Sequence, residues 1–155
     1  MRFKLWHSLL GLSILVSVEG LLIQAIATVP AAWAICIFAV IGTAVNMYVA
    51  MEVIDDIHGS RRVLMMLSVV VAEFLVFFSF QYWYLLFVEP MSFGSLSADP
   101  VSLLLHSTMI FVFNPLNMPA TIAAQGLLLI NVLGALTLVM FVLQNVSQLS
   151  RKSAQ

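Results

Sequence analysis

The sequence predicts an all-α integral membrane protein with four transmembrane helices and a short re-entrant helix between the third and the fourth. Hydrophobic residues make up 63% of the 155 residues, charged residues make up only 8%, and the mean hydropathy is +1.10. A soluble domain carries about 25% charged residues, so this chain could not cover a core with a wettable surface. The composition excludes a soluble enzyme, a nucleic-acid-binding protein and a disordered protein. It predicts one membrane domain over residues 1–155.

Four apolar runs are long enough to cross the hydrocarbon core, which takes about 20 residues. The predicted spans cover about residues 6–29, 31–53, 63–88 and 122–146. The first run begins like a signal peptide, but a secretory apolar region has about 7–15 residues. This run is longer and contains Glu19, so we expect an uncleaved span.

A shorter apolar segment, residues 101–113, lies between the third and fourth spans. Thirteen helical residues reach only about 20 Å, which is less than the ~30 Å hydrocarbon core. Asp99 and Pro100 suit the start of a helix, and the prolines at 115 and 119 end any helix before the fourth span. The pattern predicts a re-entrant helix over 101–113, followed by a loop over 114–119.

The basic residues favour this topology. All six of them fall on one side of the membrane if the chain has four spans and a re-entrant segment; they are Arg2, Lys4, Arg61, Arg62, Arg151 and Lys152. The positive-inside rule makes that side cytoplasmic. We therefore expect both termini in the cytoplasm. A fifth span would place the C-terminal pair outside.

Two acidic residues, Glu19 and Glu73, lie deep within predicted spans. An ionised carboxylate is costly in hydrocarbon, so both side chains should face protein and be protonated at neutral pH. The possible partners are the other acid, Thr43 or Asn46 on the second span, Asn131 on the fourth span, or a bound cation. Two roles stay open: a proton or cation site, or a protonated carboxyl that hydrogen-bonds across a helix interface.

Other polar residues give no catalytic, metal or cofactor motif. The cluster that ends the second span, Glu52, Asp55, Asp56 and His58, is followed by basic residues and is interpreted as a solvated helix end. His106 is the only histidine in an apolar segment, whereas bis-histidine haem proteins need facing pairs. The single cysteine, Cys36, excludes a disulfide within the chain. We expect no enzyme activity, no metal and no cofactor.

The order of elements after residue 63 has a known parallel. Asp99 leads the short helix, Thr108 and Val112 take the places of a threonine and the filter valine, Pro119 follows, and Gly134 takes the place of a hinge glycine. In these residues the chain resembles the pore domain of small bacterial potassium-type channels, which are tetramers with a two-transmembrane pore. The resemblance covers about 60 residues. It implies a location in a bacterial inner membrane.

The filter itself differs from the family pattern V-G-Y-G-D. Phe113 and Pro115 replace its glycines, Asn114 replaces its tyrosine, and Leu116 replaces its aspartate. Potassium filters aim backbone carbonyls at the dehydrated ion, and glycine permits the backbone conformations that this requires. The sequence therefore predicts the architecture without potassium selectivity.

Two functions stay open at this point. The first is a pore-like protein in the lipid bilayer, a homo-oligomer and, if pore-like, a tetramer, in which Asn114 and Asn117 present side-chain oxygens to a vestibule. The second is a membrane-embedded accessory subunit that packs against a larger complex of other membrane subunits. Neither binds nucleic acid.

Overall fold

Residues 2–25, 28–56 and 60–152 are described by a computed structural model, and they form five α-helices without a β-strand. The helices are α1 (Arg2–Ala25), α2 (Thr28–Asp56), α3 (Ser60–Val88), α4 (Pro100–Phe111) and α5 (Ile122–Lys152). The all-α class is confirmed. Within the described residues, three stretches are long and apolar enough to span a membrane: Pro30–Ile54, Val63–Val88 and Ile122–Gln144.

These three stretches coincide with the second, third and fourth predicted spans. The first predicted span is different, because α1 is apolar only over Leu9–Ala25 in its described part. That stretch is shorter than the about 20 residues that cross a bilayer. A fourth span therefore stays a prediction. The side chains of the six basic residues lie outside the described part of the chain, and so does the orientation argument that rests on them.

Helix α3 forms the centre of the bundle, because it contacts each of the four other helices. Its buried face carries large side chains, among them Phe74, Phe78 and Tyr82, which are at most 1% exposed. The rings of Phe74 and Phe78 pack with their centroids 4.7 Å apart. Tilted and edge-to-face contacts of this kind add to the packing that holds membrane helices together.

Small residues let the long helices approach one another. A Cβ at Gly42 on α2 would overlap the Phe77 ring on α3, so any larger residue there requires the ring to move. Helices α2 and α5 meet where the Cys36 thiol donates to the carbonyl of Ala123, with 3.6 Å between sulfur and oxygen. Close backbone approach at small residues is typical of helix packing in membranes.

The chain between α3 and α5 leaves the end of α3 and returns to it. Helix α4 packs against both α3 and α5, and the Phe111 ring at its end lies 6.0 Å from the Phe74 ring, centroid to centroid. Phe74 lies fourteen residues before Val88, which is about 21 Å along a helix. The N–H of Ala120 then donates to the carbonyl of Ser92 at 2.7 Å. Residues 93–119 thus run along α3 to about its middle and come back.

Candidate functional site

The start of α4 has a strong cap. Asp99 accepts a hydrogen bond from the N–H of Ser102 at 2.9 Å, and Pro100 occupies the first turn. Hydrogen bonds from Ser102, through its hydroxyl and its N–H, and from the Ser97 hydroxyl lower the pKa of Asp99 to about 2. The carboxylate is therefore charged at neutral pH and satisfies N–H groups at the helix N-terminus, as the sequence predicts for this Asp-Pro pair.

The end of α4 is a Schellman motif, two residues before the predicted helix end. The N–H of Phe113 donates to the Ile110 carbonyl, and the N–H of Asn114 donates to the Met109 carbonyl, both at 2.8 Å. This motif places one residue in the left-handed region, usually a glycine. Here that residue is Phe113, with φ of 59°. The filter-glycine position thus does take up a left-handed backbone, but it does so to end a helix.

Most of the predicted filter residues follow α4. They lie either at the tip (residues 112 and 113) or on the chain that leads back to α5 (residues 114–119, called the returning arm). Thr108 is still inside α4, where its hydroxyl donates to the Leu104 carbonyl. Val112 and Phe113 form the tip and are 57% and 49% exposed. Asn114 is exposed, and Asn117 accepts from the Ser95 hydroxyl at 3.4 Å. Pro119 comes directly before the residue that bonds back to Ser92.

Three backbone N–H groups on the returning arm lack a hydrogen-bond partner in the described chain. Within the described chain, the N–H groups of Leu116, Asn117 and Met118 have no hydrogen-bond partner. Leu116 and Met118 are also exposed. The arm lies between the middle of α3 and its end, where a span would be surrounded by hydrocarbon. Unpaired backbone groups are costly in hydrocarbon, so the surroundings of this arm bear on the function proposed below.

His106 lies behind the returning arm. It is 1% exposed, and its ring packs edge-to-face against Tyr82 and Phe93, with centroids 4.7 and 5.1 Å away. Within the described residues neither ring nitrogen has a hydrogen-bond partner. The ring borders a small cavity of about 150 Å³, which Ser95, Ser102 and Asn117 also line. This space is large enough for a few water molecules.

The buried acid Glu19 has a partner that the sequence did not predict. Its Oε2 accepts a hydrogen bond from Nε2 of Gln81 on α3 at 2.7 Å, and both residues are fully buried. One turn further on, the Tyr84 hydroxyl donates to the carbonyl of Val16 at 2.8 Å. These two contacts join α1 to α3. They correspond to the structural role considered for this acid.

The residues suggested as partners of Glu19 donate hydrogen bonds to other groups. Asn46 and Thr43 donate to carbonyls of their own helix, at Gly42 and Ala39. Asn131 donates to the Tyr82 hydroxyl at 2.8 Å and so links α5 to α3. Naming them as partners of Glu19 was wrong, because sequence spacing does not fix which helix faces turn toward each other.

Glu73 and Gly134 lie on different sides of α3. Glu73 is 7% exposed and borders a groove between α1 and α3. Gly134 is buried, and a Cβ there would lie 2.9 Å from Cγ2 of Thr43. Helix α5 is continuous through this glycine. Its place in the structure is a close helix contact, and a hinge at Gly134 stays a prediction.

The acidic cluster after the second span is only partly described. Glu52 accepts a hydrogen bond from the Tyr48 hydroxyl at 2.7 Å. The side chains of Asp55 and Asp56, together with His58, lie outside the described residues. Over the ranges that are described, no three histidine, cysteine or acidic side chains come together as a metal site.

These features define the described part of the chain as all-helical, with three helices long and apolar enough to span a membrane. Comparison with known proteins takes the assignment no further, since no family model, no curated protein and no solved structure matches it. The resemblance to potassium-type pore domains therefore rests on the residues named above.

Proposed function

We propose that this chain is a pore-like membrane protein that assembles as a closed homo-oligomer, with the re-entrant segment 101–119 directed toward the shared axis. The observation that carries the proposal is the returning arm. Three successive backbone N–H groups at 116–118 lack a partner within the described chain, beside the middle and outer part of α3.

Non-helical backbone at membrane depth is tolerated only where protein buries it or water wets it. A single copy in lipid provides neither for this arm. A ring of copies provides both, because neighbours cover the sides of the arm and a water-filled vestibule reaches its polar groups. The position of α4 between α3 and α5 supports this arrangement, since it matches the order of elements in the pore domains that the sequence resembles.

The proposed pore is not potassium-selective. The residues in the filter position instead end a helix with a Schellman motif at Phe113, and Pro115 follows, so this backbone differs from the glycine-dependent run of ion-facing carbonyls in a potassium filter. Exposed Val112 and Phe113 at the tip would form an apolar ring around an axis. A narrow apolar ring dewets and blocks ions. We expect a low, poorly selective conductance, or none, from the wild-type protein.

The proposal includes four spans with α1 as the first. As a helix of 24 residues, α1 is about 36 Å long, enough to cross the core. Four spans place all six basic residues on the cytoplasmic side. In a Cys36→Ala background, cysteines at Ser95 and Ser97 should react with an impermeant reagent added outside intact cells, and a cysteine at Ser153 should not. External labelling at Ser153 would contradict this topology.

The accessory-subunit function is the second candidate. The exposed apolar tip favours it, because Val112, Phe113 and Leu116 could seat against another protein as readily as around an axis. A single copy bound to other membrane proteins, with no symmetric homo-oligomer, would support the accessory-subunit function.

The test combines assembly and conductance. The purified protein should form one closed homo-oligomer by native mass spectrometry, and its conductance in planar bilayers should rise when Phe113 is replaced by glycine or alanine. Phe87→Ala is the matched control, because Phe87 is 67% exposed and lies on α3, away from the tip. A potassium reversal potential in the wild type would refute the filter argument. A non-symmetric assembly that stays silent in every variant would refute the pore.

A further inference from the structure

A groove of about 510 Å³ lies between α3 and α4. Val76, Phe80 and Trp83 of α3 form one wall, and Leu103 and Leu104 of α4 form the other. The groove is open to the surface of the bundle, because most of these side chains are exposed. Its volume lies within the range of sites that hold small organic ligands, about 300–1,000 Å³.

The groove has the direction of a lipid tail in a bilayer. Trp83 comes seven residues after Val76, which is about 10 Å along α3, and α3 is one of the helices that are apolar enough to span a membrane. The groove therefore runs along the axis of a spanning helix. The hydroxyl of Ser79, which also lines it, donates to the Leu75 carbonyl at 2.8 Å and so leaves no unsatisfied hydroxyl facing an apolar chain.

One end of the groove carries a negative charge. Ala98 and Pro100 line the groove, and the residue between them is Asp99, which is exposed and charged at neutral pH. The hydrogen bonds that Asp99 accepts in the helix cap leave this charge in place. The sequence has no lysine or arginine between residues 63 and 150, so this stretch has no basic side chain to neutralise it. Trp83 is typical of the boundary between hydrocarbon and headgroups.

From this combination we infer that the groove binds a glycerophospholipid whose headgroup carries an ammonium group, with one acyl chain along Phe80 and Leu104 and the headgroup at Asp99. The walls offer an acyl chain the apolar contacts that it makes best, and the exposed carboxylate attracts the ammonium group and repels an anionic headgroup. A helix of a second copy could cover the same walls, but its residues 63–150 would bring no basic side chain to Asp99. All of the site belongs to one chain, so the inference does not depend on the proposed pore.

The experiment counts the lipids bound to each chain by native mass spectrometry, in titrations with phosphatidylethanolamine and phosphatidylglycerol that have the same acyl chains, at neutral pH. We expect one site per chain that prefers phosphatidylethanolamine by at least about fivefold. Asp99→Asn should bring the two affinities within about twofold of each other, because asparagine keeps the helix cap and removes the charge. Leu104→Trp should abolish the site for both lipids, because the larger side chain fills the groove.

Leu129→Trp is the matched control. It makes the same change at an exposed leucine of α5 that does not line the groove, so lipid binding should stay at the wild-type level. Equal affinity for the two lipids in the wild type, or a random distribution of bound lipids, would overturn the inference. A wild-type preference in Asp99→Asn would overturn recognition of the charge, and wild-type binding in Leu104→Trp would overturn the location.

The same spectra report the oligomeric state, so a failure of the proposed pore is read separately from a failure of the lipid site. If Leu104→Trp changes the oligomeric state and leaves the lipid count unchanged, the groove is an interface between copies and the inference is overturned. If Leu104→Trp fails to fold, Asp99→Asn still decides.

Discussion

Replacing Phe113 by glycine should leave the protein more stable than replacing it by alanine, although both changes remove the same large apolar side chain. Phe113 ends α4 with φ of 59°, and a residue with a Cβ loses roughly 1–2 kcal/mol in that conformation. Glycine avoids this cost but loses more backbone entropy on folding, about 0.5–1 kcal/mol. The net advantage of glycine over a residue with a Cβ is therefore about 1 kcal/mol.

Alanine is the matched comparison, because it loses the same ring and keeps the unfavourable conformation. The ring is half-exposed, so its packing contributes similarly to the difference from wild type in both variants. We expect Phe113→Gly to unfold with a free energy about 1 kcal/mol above that of Phe113→Ala. Reversible unfolding in mixed detergent micelles, followed by circular dichroism, measures this difference. An alanine variant as stable as the glycine variant would refute the left-handed conformation at this position.

Three further predictions concern other contacts. Gly42→Ala should destabilise the protein by about 1–3 kcal/mol through overpacking, because the new Cβ would overlap the Phe77 ring. Gly11→Ala is the control, because nothing lies within 4 Å of a Cβ there, and it should not destabilise the protein. Equal losses of stability in thermal unfolding would contradict the contact at Gly42. Gln81→Leu should lower the free energy of unfolding by about 1 kcal/mol in the same micelle assay, because the Glu19 carboxyl loses its hydrogen-bond donor. An unchanged free energy of unfolding would argue against that hydrogen bond. The pKa of Asp99 is lowered from 3.8 to about 2, so its contribution to folding stability is complete above pH 3.8 and is lost as the pH falls toward 2. The stability advantage of wild type over Asp99→Ala should therefore shrink over that interval. A constant difference in stability would refute the cap.

The sequence predicted the long helices well because the hydrophobic run itself determines what enters a bilayer. The third predicted span, 63–88, has the same bounds as the apolar stretch in α3. The start of α4 was equally readable, since Asp99 and Pro100 act on the backbone next to them. Local chemistry of this kind needs no knowledge of the rest of the fold.

The contacts between helices were not predictable in the same way. Gln81 as the partner of Glu19 depends on how α1 and α3 are rotated about their axes, and α3 is apolar on nearly every face. The Schellman motif that ends α4 was not predicted, for a different reason. A Schellman motif is usually marked by glycine, and phenylalanine at that position gives no such signal. The short helix could thus be located from sequence, while the backbone geometry at its end could not.

The hydrogen bond between Ala120 and Ser92 closes the base of the segment between them. Because donor and acceptor are 2.7 Å apart, the chain enters and leaves the excursion at one point. Just beside it, the Thr121 hydroxyl donates to the Glu89 carboxylate at 2.6 Å and ties the first turn of α5 to the end of α3. The segment is held at its base by the backbone and along its length by buried side chains, since Phe93, His106 and Ile110 lie in the same core as the buried face of α3. Changes in its exposed tip and changes in its buried side should therefore have different consequences: the tip can vary without disturbing the core, and the buried side cannot.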